Sequence, residues 1–120
     1  ALPPQRVSPS GSLPDLHTHP EPSWSEHRTT ARIRGVLEGL GLTPHPLGVP
    51  TGLWVDILPK GESAAPQIGL RGDIDALHLN DAKDVPYRSI NEGVAHACGH
   101  DVHTAVLLGA ANVLTRLREA

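Results

Sequence analysis

The sequence is poor in cysteine and in aromatic residues. Its 120 residues include one cysteine, two tryptophans and one tyrosine, with neither phenylalanine nor methionine. A single cysteine cannot form an internal disulfide, which excludes the disulfide-stabilised secreted class and favours a reducing, cytoplasmic compartment. The core must therefore be built from Leu, Val, Ile and Ala. Such a core is sparse for a self-sufficient domain, so we expect the chain to be part of a longer protein.

The sequence also lacks long apolar runs and an excess of basic residues. No stretch approaches the roughly 18 consecutive apolar residues that a membrane span needs, and the first residues show no signal-peptide pattern. The formal charge is −3, and the ten Lys and Arg residues are scattered, whereas nucleic-acid binding needs clustered basic residues. We therefore expect one soluble domain with neither a nucleic acid nor a membrane as partner.

The first part of the chain predicts a flexible segment followed by a helix. Residues 1–14 combine Pro, Ser and Gly with little apolar periodicity, so we expect a flexible lead-in and a folded unit spanning 15–120. Ser23 and Glu26 have the spacing of a capping box. The apolar residues that follow repeat at helical spacing, and Gly39 and Gly41 end the pattern, which predicts a helix of about 15 residues. These apolar residues are Ile33, Val36, Leu37 and Leu40.

The rest of the chain predicts two strands and a long helix. Alternating apolar residues favour strands over 52–58 and 67–74. From Asp101 onward apolar residues recur at helical spacing. That apolar stripe comprises Val102, Val106, Leu107, Ala110, Val113, Leu114 and Leu117. The order of these elements predicts an α/β fold in which a mixed sheet is flanked by helices.

The octet HACGHDVH at 96–103 concentrates three histidines, one cysteine and one aspartate. Imidazole nitrogen, thiolate and carboxylate are the ligands of transition metals. The two-residue spacing of Cys98 and His100 lets both side chains point the same way if the backbone changes from loop to helix near His100. His96 and His103 are then candidates to orient ligands or to face substrate. Two alternatives stay open: a polar helix start around a buried cysteine, and a nucleophilic Cys98 activated by a histidine.

Other titratable residues could belong to the same site. Asp73 and Asp75 share one face of the second predicted strand, where they could orient a metal-bound histidine through its second nitrogen or help to hold the metal. A solvated strand end is the alternative for this pair. His17 and His19 have no third ligand nearby in the sequence, so we interpret them as structural residues.

Three stretches resemble one known family. They are DLHTHPE at 15–21, GLRGDIDAL at 69–77 and GVAHACGHDVHTAVLLGAA at 93–111. Their order and spacing are similar to those of the metal-dependent aminoacylase and carboxypeptidase family. The similarity is to the N-acyl-amino-acid amidohydrolase branch, which includes hippurate hydrolases and indole-acetyl-amino-acid hydrolases. The resemblance implies the N-terminal part of a zinc-peptidase-like catalytic domain.

The resemblance also implies an activity and its residues. It implies an amidohydrolase that uses two divalent ions, zinc, manganese, nickel or cobalt, to cleave the amide bond of small N-acyl amino acids. Cys98 and His100 correspond to metal ligands in this family. Asp75 would be a catalytic-site residue that shapes the site, while Asp101 and His103 would line the opening and contact substrate. Full-length members are implied to be homo-oligomers.

The sequence departs from the family pattern at several points. His78 stands where the family has a proline, and HPEP at 19–22 replaces HPEL. The family's general base is one of two adjacent glutamates, and no such pair occurs among these residues. We therefore expect the chain by itself to be weakly active or inactive. The alternative function is that of a truncated, non-catalytic relative that acts as a binding or assembly module.

Overall fold

The computed structural model describes residues 9–61 and 67–119, which combine helices with a small sheet. In chain order the elements are α1 (Pro9–Thr18), α2 (His27–Gly39), β1 (His45–Pro46), β2 (Leu53–Trp54) and α3 (His100–Glu119). This mixture confirms the predicted α/β class. Within the described ranges, no helix has the length and apolar character that crossing a membrane requires.

Helix α1 occupies part of the segment predicted to be a flexible lead-in. Residues 9–14 are helical, so the prediction is wrong for them, while residues 1–8 lie outside the described part. The helix begins with a proline, whose fixed φ angle suits a first helical position. Ser12 is fully buried and Leu16 is 1% exposed. Tertiary packing against α3 therefore outweighs the local composition of this segment.

Helix α2 has the predicted position but a different cap. Ser23 makes no capping bond to the helix; its hydroxyl donates to Asp75 instead. The carboxylate of Glu21 accepts from the backbone N–H of Arg28 at 3.1 Å and of Thr29 at 2.6 Å. A carboxylate at this end satisfies free N–H groups and faces the positive end of the helix dipole. The capping-box prediction is wrong because the helix begins at His27, after the motif, and Glu21 binds free N–H groups of its first turn.

The sheet is shorter than the sequence predicts. Strands β1 and β2 pair antiparallel, with His45 opposite Trp54. No β-ladder forms over the remainder of 52–58 or over 67–74. Two isolated bridges follow instead, a parallel one between Pro22 and Ala76 and an antiparallel one between Leu77 and Ala95. The predicted alternation of 53–57 holds nonetheless, since its odd-numbered residues pack on the core.

The face of helix α3 that packs on the core is not the apolar stripe predicted from the sequence. Leu108 and Ala111 join Ile33, Val36 and Leu37 of α2 in the core, and Thr104 and Thr115 are buried on the same side. Most of the stripe predicted from the sequence is exposed, including Val106 at 66% and Leu117 at 65%. The helix carries apolar residues on two faces, and periodicity by itself could not tell which face packs.

Candidate metal centre

His100 begins α3, and the carboxylate of Asp75 fixes its imidazole. Its Nδ1 lies 2.7 Å from Asp75 Oδ1 and 3.0 Å from the Asp75 carbonyl oxygen. Both oxygens are acceptors, so Nδ1 carries the proton and donates. The lone pair then lies on Nε2, which is 3.9 Å from Asp73 Oδ2. A carboxylate that orients a histidine in this way is the usual partner of a metal-binding imidazole.

Asp75 is itself held in place by the loop before α2. The hydroxyl of Ser23 donates to Asp75 Oδ2 at 2.5 Å. This hydrogen bond, followed by the one from His100, lowers the pKa of Asp75 below its ordinary value. Hydrogen bonds to the charged form favour ionisation. Asp75 is therefore a carboxylate with one oxygen on Ser23 and the other on His100, which connects three separate segments of the chain.

Cys98 lies in the loop immediately before α3, and its thiol is exposed and free. Gly99 between Cys98 and His100 has a φ of +85°. That left-handed conformation, which glycine adopts readily, is where the loop turns into the helix. The backbone thus changes at the place that the spacing predicts. A free thiol and an imidazole with an available Nε2 are ligand types that suit zinc and similar ions.

The described residues do not contain a complete metal site. No group of three or more His, Cys, Asp or Glu side chains in ranges 9–61 and 67–119 is arranged to hold an ion. A structural zinc usually has four ligands, and a catalytic zinc has three from protein. By chemical type, the thiol of Cys98 and the imidazole of His100 suit a divalent metal ion as two of its ligands.

A buried polar pair lies behind the first turn of α3. His17 Nδ1 is 2.6 Å from Asp101 Oδ2, and the two side chains are 14% and 4% exposed. His17 Nε2 lies 3.7 Å from Asp81 Oδ2. The sequence predicted substrate contact for Asp101, but its carboxylate faces the interior and joins α1 to α3. No spacing signal in the sequence connects His17 to this position.

Two further histidines surround His100. The His103 ring stacks on that of His100, with centroids 5.5 Å apart, and it is exposed. His96 is 6% exposed, and neither of its ring nitrogens has a hydrogen-bond partner in the structure. Burial lowers the pKa of His96 and favours the neutral imidazole. By contrast, His19 bonds within its own segment, to the Asp15 carbonyl oxygen at 2.9 Å.

Comparison with known proteins gives consistent matches. Residues 69–120 match the peptidase family M20/M25/M40. An N-acetyl-L-cysteine deacetylase of Bacillus subtilis is 48% identical over 82% of this chain. A crystal structure of a Bacillus subtilis protein, described as a dinuclear metal-binding peptidase of the M20 family, superimposes with a TM-score of 0.86. It is 36% identical, and the match covers 94% of this chain and 31% of that one.

The chain spans only a minor part of the curated relatives it matches. It covers 23% of the deacetylase and 28% of an N-acyl-L-amino acid amidohydrolase of Geobacillus stearothermophilus, which is 38% identical. A Rhodococcus jostii protein named as a putative glutamate–cysteine ligase is 50% identical, but the match covers 12% of it. So small a share does not connect the ligase name with the matched segment.

Proposed function

Because the chain is related in sequence and fold to the M20/M25/M40 peptidase family, we propose that it forms the N-terminal part of a metal-dependent amidohydrolase. The proposed reaction is hydrolysis of the amide bond of small N-acyl amino acids. The names of two relatives, an N-acetyl-L-cysteine deacetylase and an N-acyl-L-amino acid amidohydrolase, support this substrate class. The cytoplasmic location and the homo-oligomeric full-length protein stay predictions from the sequence.

The observation that carries the proposal is the hydrogen bond between Asp75 and His100 Nδ1. It directs Nε2 away from the carboxylate and makes it available to a divalent ion, with the Cys98 thiol two residues earlier in the chain. We propose Cys98 and His100 as ligands of a two-metal centre. When bound, such ions activate water and polarise the amide carbonyl.

The remaining residues have supporting roles in this proposal. Asp75 keeps the proton on His100 Nδ1, and the hydroxyl of Ser23 holds the Asp75 carboxylate in place. His103 is exposed beside His100 and can face substrate, whereas Asp101 holds the start of α3 through His17. No two glutamates are adjacent in the sequence. The group that transfers protons during hydrolysis is therefore proposed to come from outside these 120 residues.

Metal uptake tests the ligand assignment directly. Zinc titrated into the chain in a calorimeter should bind, and Cys98→Ser should weaken that binding by at least about tenfold. Loss of a residue that only orients a metal ligand already costs about that much, and loss of the ligand itself should cost no less. His27→Gln is the matched control, because His27 is exposed at the start of α2. Equal zinc affinity in Cys98→Ser and the unaltered chain would show that the thiol is not a ligand.

Hydrolysis assays separate the enzyme from the binding module. With N-acetyl and N-benzoyl amino acids as substrates, we expect little or no turnover by the chain in the presence of zinc or manganese, because the base is missing. Turnover that chelators abolish would contradict the claim that the base is missing but not the proposal that Cys98 and His100 bind metal. Turnover that iodoacetamide abolishes and chelators leave intact would instead support a nucleophilic Cys98.

A further inference from the structure

His17, near the end of α1, lies between two carboxylates in the interior. Its Nδ1 is 2.6 Å from Asp101 Oδ2, and its Nε2 is 3.7 Å from Asp81 Oδ2. All three side chains are largely buried. Hydrogen bonds of an imidazole to a carboxylate are short and strong when the acceptor is ionised. These contacts are internal, so they do not depend on what covers the surface of the protein.

The Asp101 carboxylate also binds the first turn of α3. While Oδ2 contacts the imidazole of α1, Oδ1 accepts from the Val102 backbone N–H at 2.9 Å. In the same turn, His103 N donates to the Gly99 carbonyl oxygen at 3.1 Å. Asp101 directly follows His100 in the chain. The position of this one carboxylate therefore constrains where the helix begins and where the His100 imidazole is held.

The loop that carries Cys98 is held at its other end as well. Leu77 and Ala95 exchange two backbone hydrogen bonds of 3.0 Å each. The next side chain, His96, is 6% exposed, and its ring centroid is 6.4 Å from that of His17. Cys98 lies between this fixed point and the first turn of α3. A displacement of that turn must therefore change the distance between the thiol and the imidazole at the start of the helix.

We propose that His17 is a positioning residue for the candidate metal centre, which it supports through Asp101 without being a ligand. This inference rests on the proposed function and adds helix α1 to the residues on which metal binding depends. His17 holds Asp101, Asp101 holds the first turn of α3, and that turn sets the separation of the Cys98 thiol from His100 Nε2. Two ligands bind one zinc ion well only if their separation allows bonds of about 2.0–2.3 Å.

Two substitutions of His17 separate the hydrogen bond from side-chain packing. In His17→Asn the amide nitrogen occupies the place of the imidazole Nδ1 and can still donate to Asp101, whereas His17→Leu fills the space without a donor. In zinc calorimetry we expect His17→Leu to bind about tenfold more weakly than the unaltered chain, as after loss of other orienting residues. His17→Asn should recover most of that affinity. The inference is overturned if His17→Leu binds zinc as tightly as the unaltered chain, or if His17→Asn binds no more tightly than His17→Leu.

A core substitution controls for lowered stability. Val36 is 3% exposed and packs in the core between α2 and α3, so Val36→Ala should lower the thermal midpoint. Its zinc affinity should nonetheless equal that of the unaltered chain, and an equal weakening in Val36→Ala and His17→Leu overturns the positioning role. If His17→Leu does not fold, His17→Gln takes its place with the same expectation, because its amide lies one bond further from the backbone than that of asparagine.

Hydrogen exchange gives a readout that needs no metal. The His103 amide bonds to the Gly99 carbonyl oxygen in the first turn of α3. In the metal-free chain, its exchange rate relative to that of the Leu37 amide of α2 should rise in His17→Leu and stay unchanged in His17→Asn. Equal relative rates in the two variants overturn the inference. Failure of the unaltered chain to take up zinc would instead contradict the proposed ligands, and this comparison would still decide the role of His17.

Discussion

At the scale of single residues, one hydrogen bond determines which ring nitrogen of His100 carries the proton. A free imidazole exchanges its proton between two nitrogens, and only the deprotonated nitrogen can bind a metal. The 2.7 Å contact with Asp75 places the proton of His100 on Nδ1. Ser23 donates to the other oxygen of that carboxylate, Oδ2, and so fixes the orientation in which Asp75 accepts from His100. In the proposed site, the orientation of His100 thus depends on two residues that are not themselves proposed as ligands.

Replacing Asp75 with asparagine should weaken metal binding without removing a ligand. An amide carries no charge and can present an N–H to His100, which favours the wrong tautomer. Changes to such partners typically cost about 10–100-fold in metal affinity, and we expect Asp75→Asn to lower zinc affinity by this amount in calorimetry. Asp84→Asn, at an exposed loop position, is the control. An unchanged affinity in Asp75→Asn would refute the orienting role.

At the scale of elements, polar contacts fix how the helices meet. Helix α1 touches α3 through the buried pair of His17 and Asp101. It also contacts α2 through Asp15, which accepts from Arg28 at 2.9 Å and lies 3.4 Å from Arg32. Apolar packing is not directional, whereas hydrogen bonds require a particular register. The His17–Asp101 pair therefore helps to fix the first turn of α3, and with it His100, relative to α1, while the Asp15 contacts fix α1 relative to α2.

Replacing His17 with alanine should destabilise this arrangement. The change leaves the Asp101 carboxylate, 4% exposed, without its side-chain partner, and stranding a buried acceptor costs about 1–3 kcal/mol or more when it is charged. We expect urea unfolding to show a loss of about 2–3 kcal/mol in the free energy of unfolding. His19→Ala, whose histidine bonds only within its own segment, should cost clearly less. Equal losses in the two variants would argue against the role of the buried pair.

At the scale of the whole molecule, paired carboxylates make stability depend on pH. The Arg28 guanidinium lowers the pKa of Asp15, and Lys83 lowers that of Asp81. Each carboxyl therefore ionises at a lower pH in the folded chain than in the unfolded chain. As pH falls below about 4, the unfolded chain takes up protons first, which favours unfolding. The stability from these groups is present above that pH and disappears as pH falls through the folded pKa.

Replacing Asp15 with asparagine should reduce this acid sensitivity. The variant lacks the charge that Arg28 stabilises, so it should be less stable than the unaltered chain at pH 7. The difference should shrink between pH 5 and pH 3, where the wild-type carboxyl loses the same charge. Urea midpoints measured across this range give the comparison. A constant difference at all pH values would show that Asp15 does not contribute to the acid response.

Several features could be predicted from the sequence because they are local. The ligand types of Cys98 and His100, their spacing and the change from loop to helix between them depend on neighbouring residues only. The α2 helix and the alternation of 53–57 also follow from short-range periodicity. The flexible lead-in over residues 9–14 and the capping box were wrong, because contacts with α3 and with Glu21 outweighed the local pattern. The second predicted strand, 67–74, was also wrong, since no β-ladder forms there.

The sequence by itself determined which ligand-type side chains are present and where α2 and α3 form, since chemistry and periodicity are properties of neighbouring residues. Only the tertiary structure decided which of them meet. His17 and Asp101 are 84 residues apart in the chain, Ser23 and Asp75 are 52 apart, and Asp75 and His100 are 25 apart. Residues so far apart in the sequence come into contact only when α1, the loop before α2 and the start of α3 pack together. Folding is what brings Asp75 to His100 and orients its imidazole.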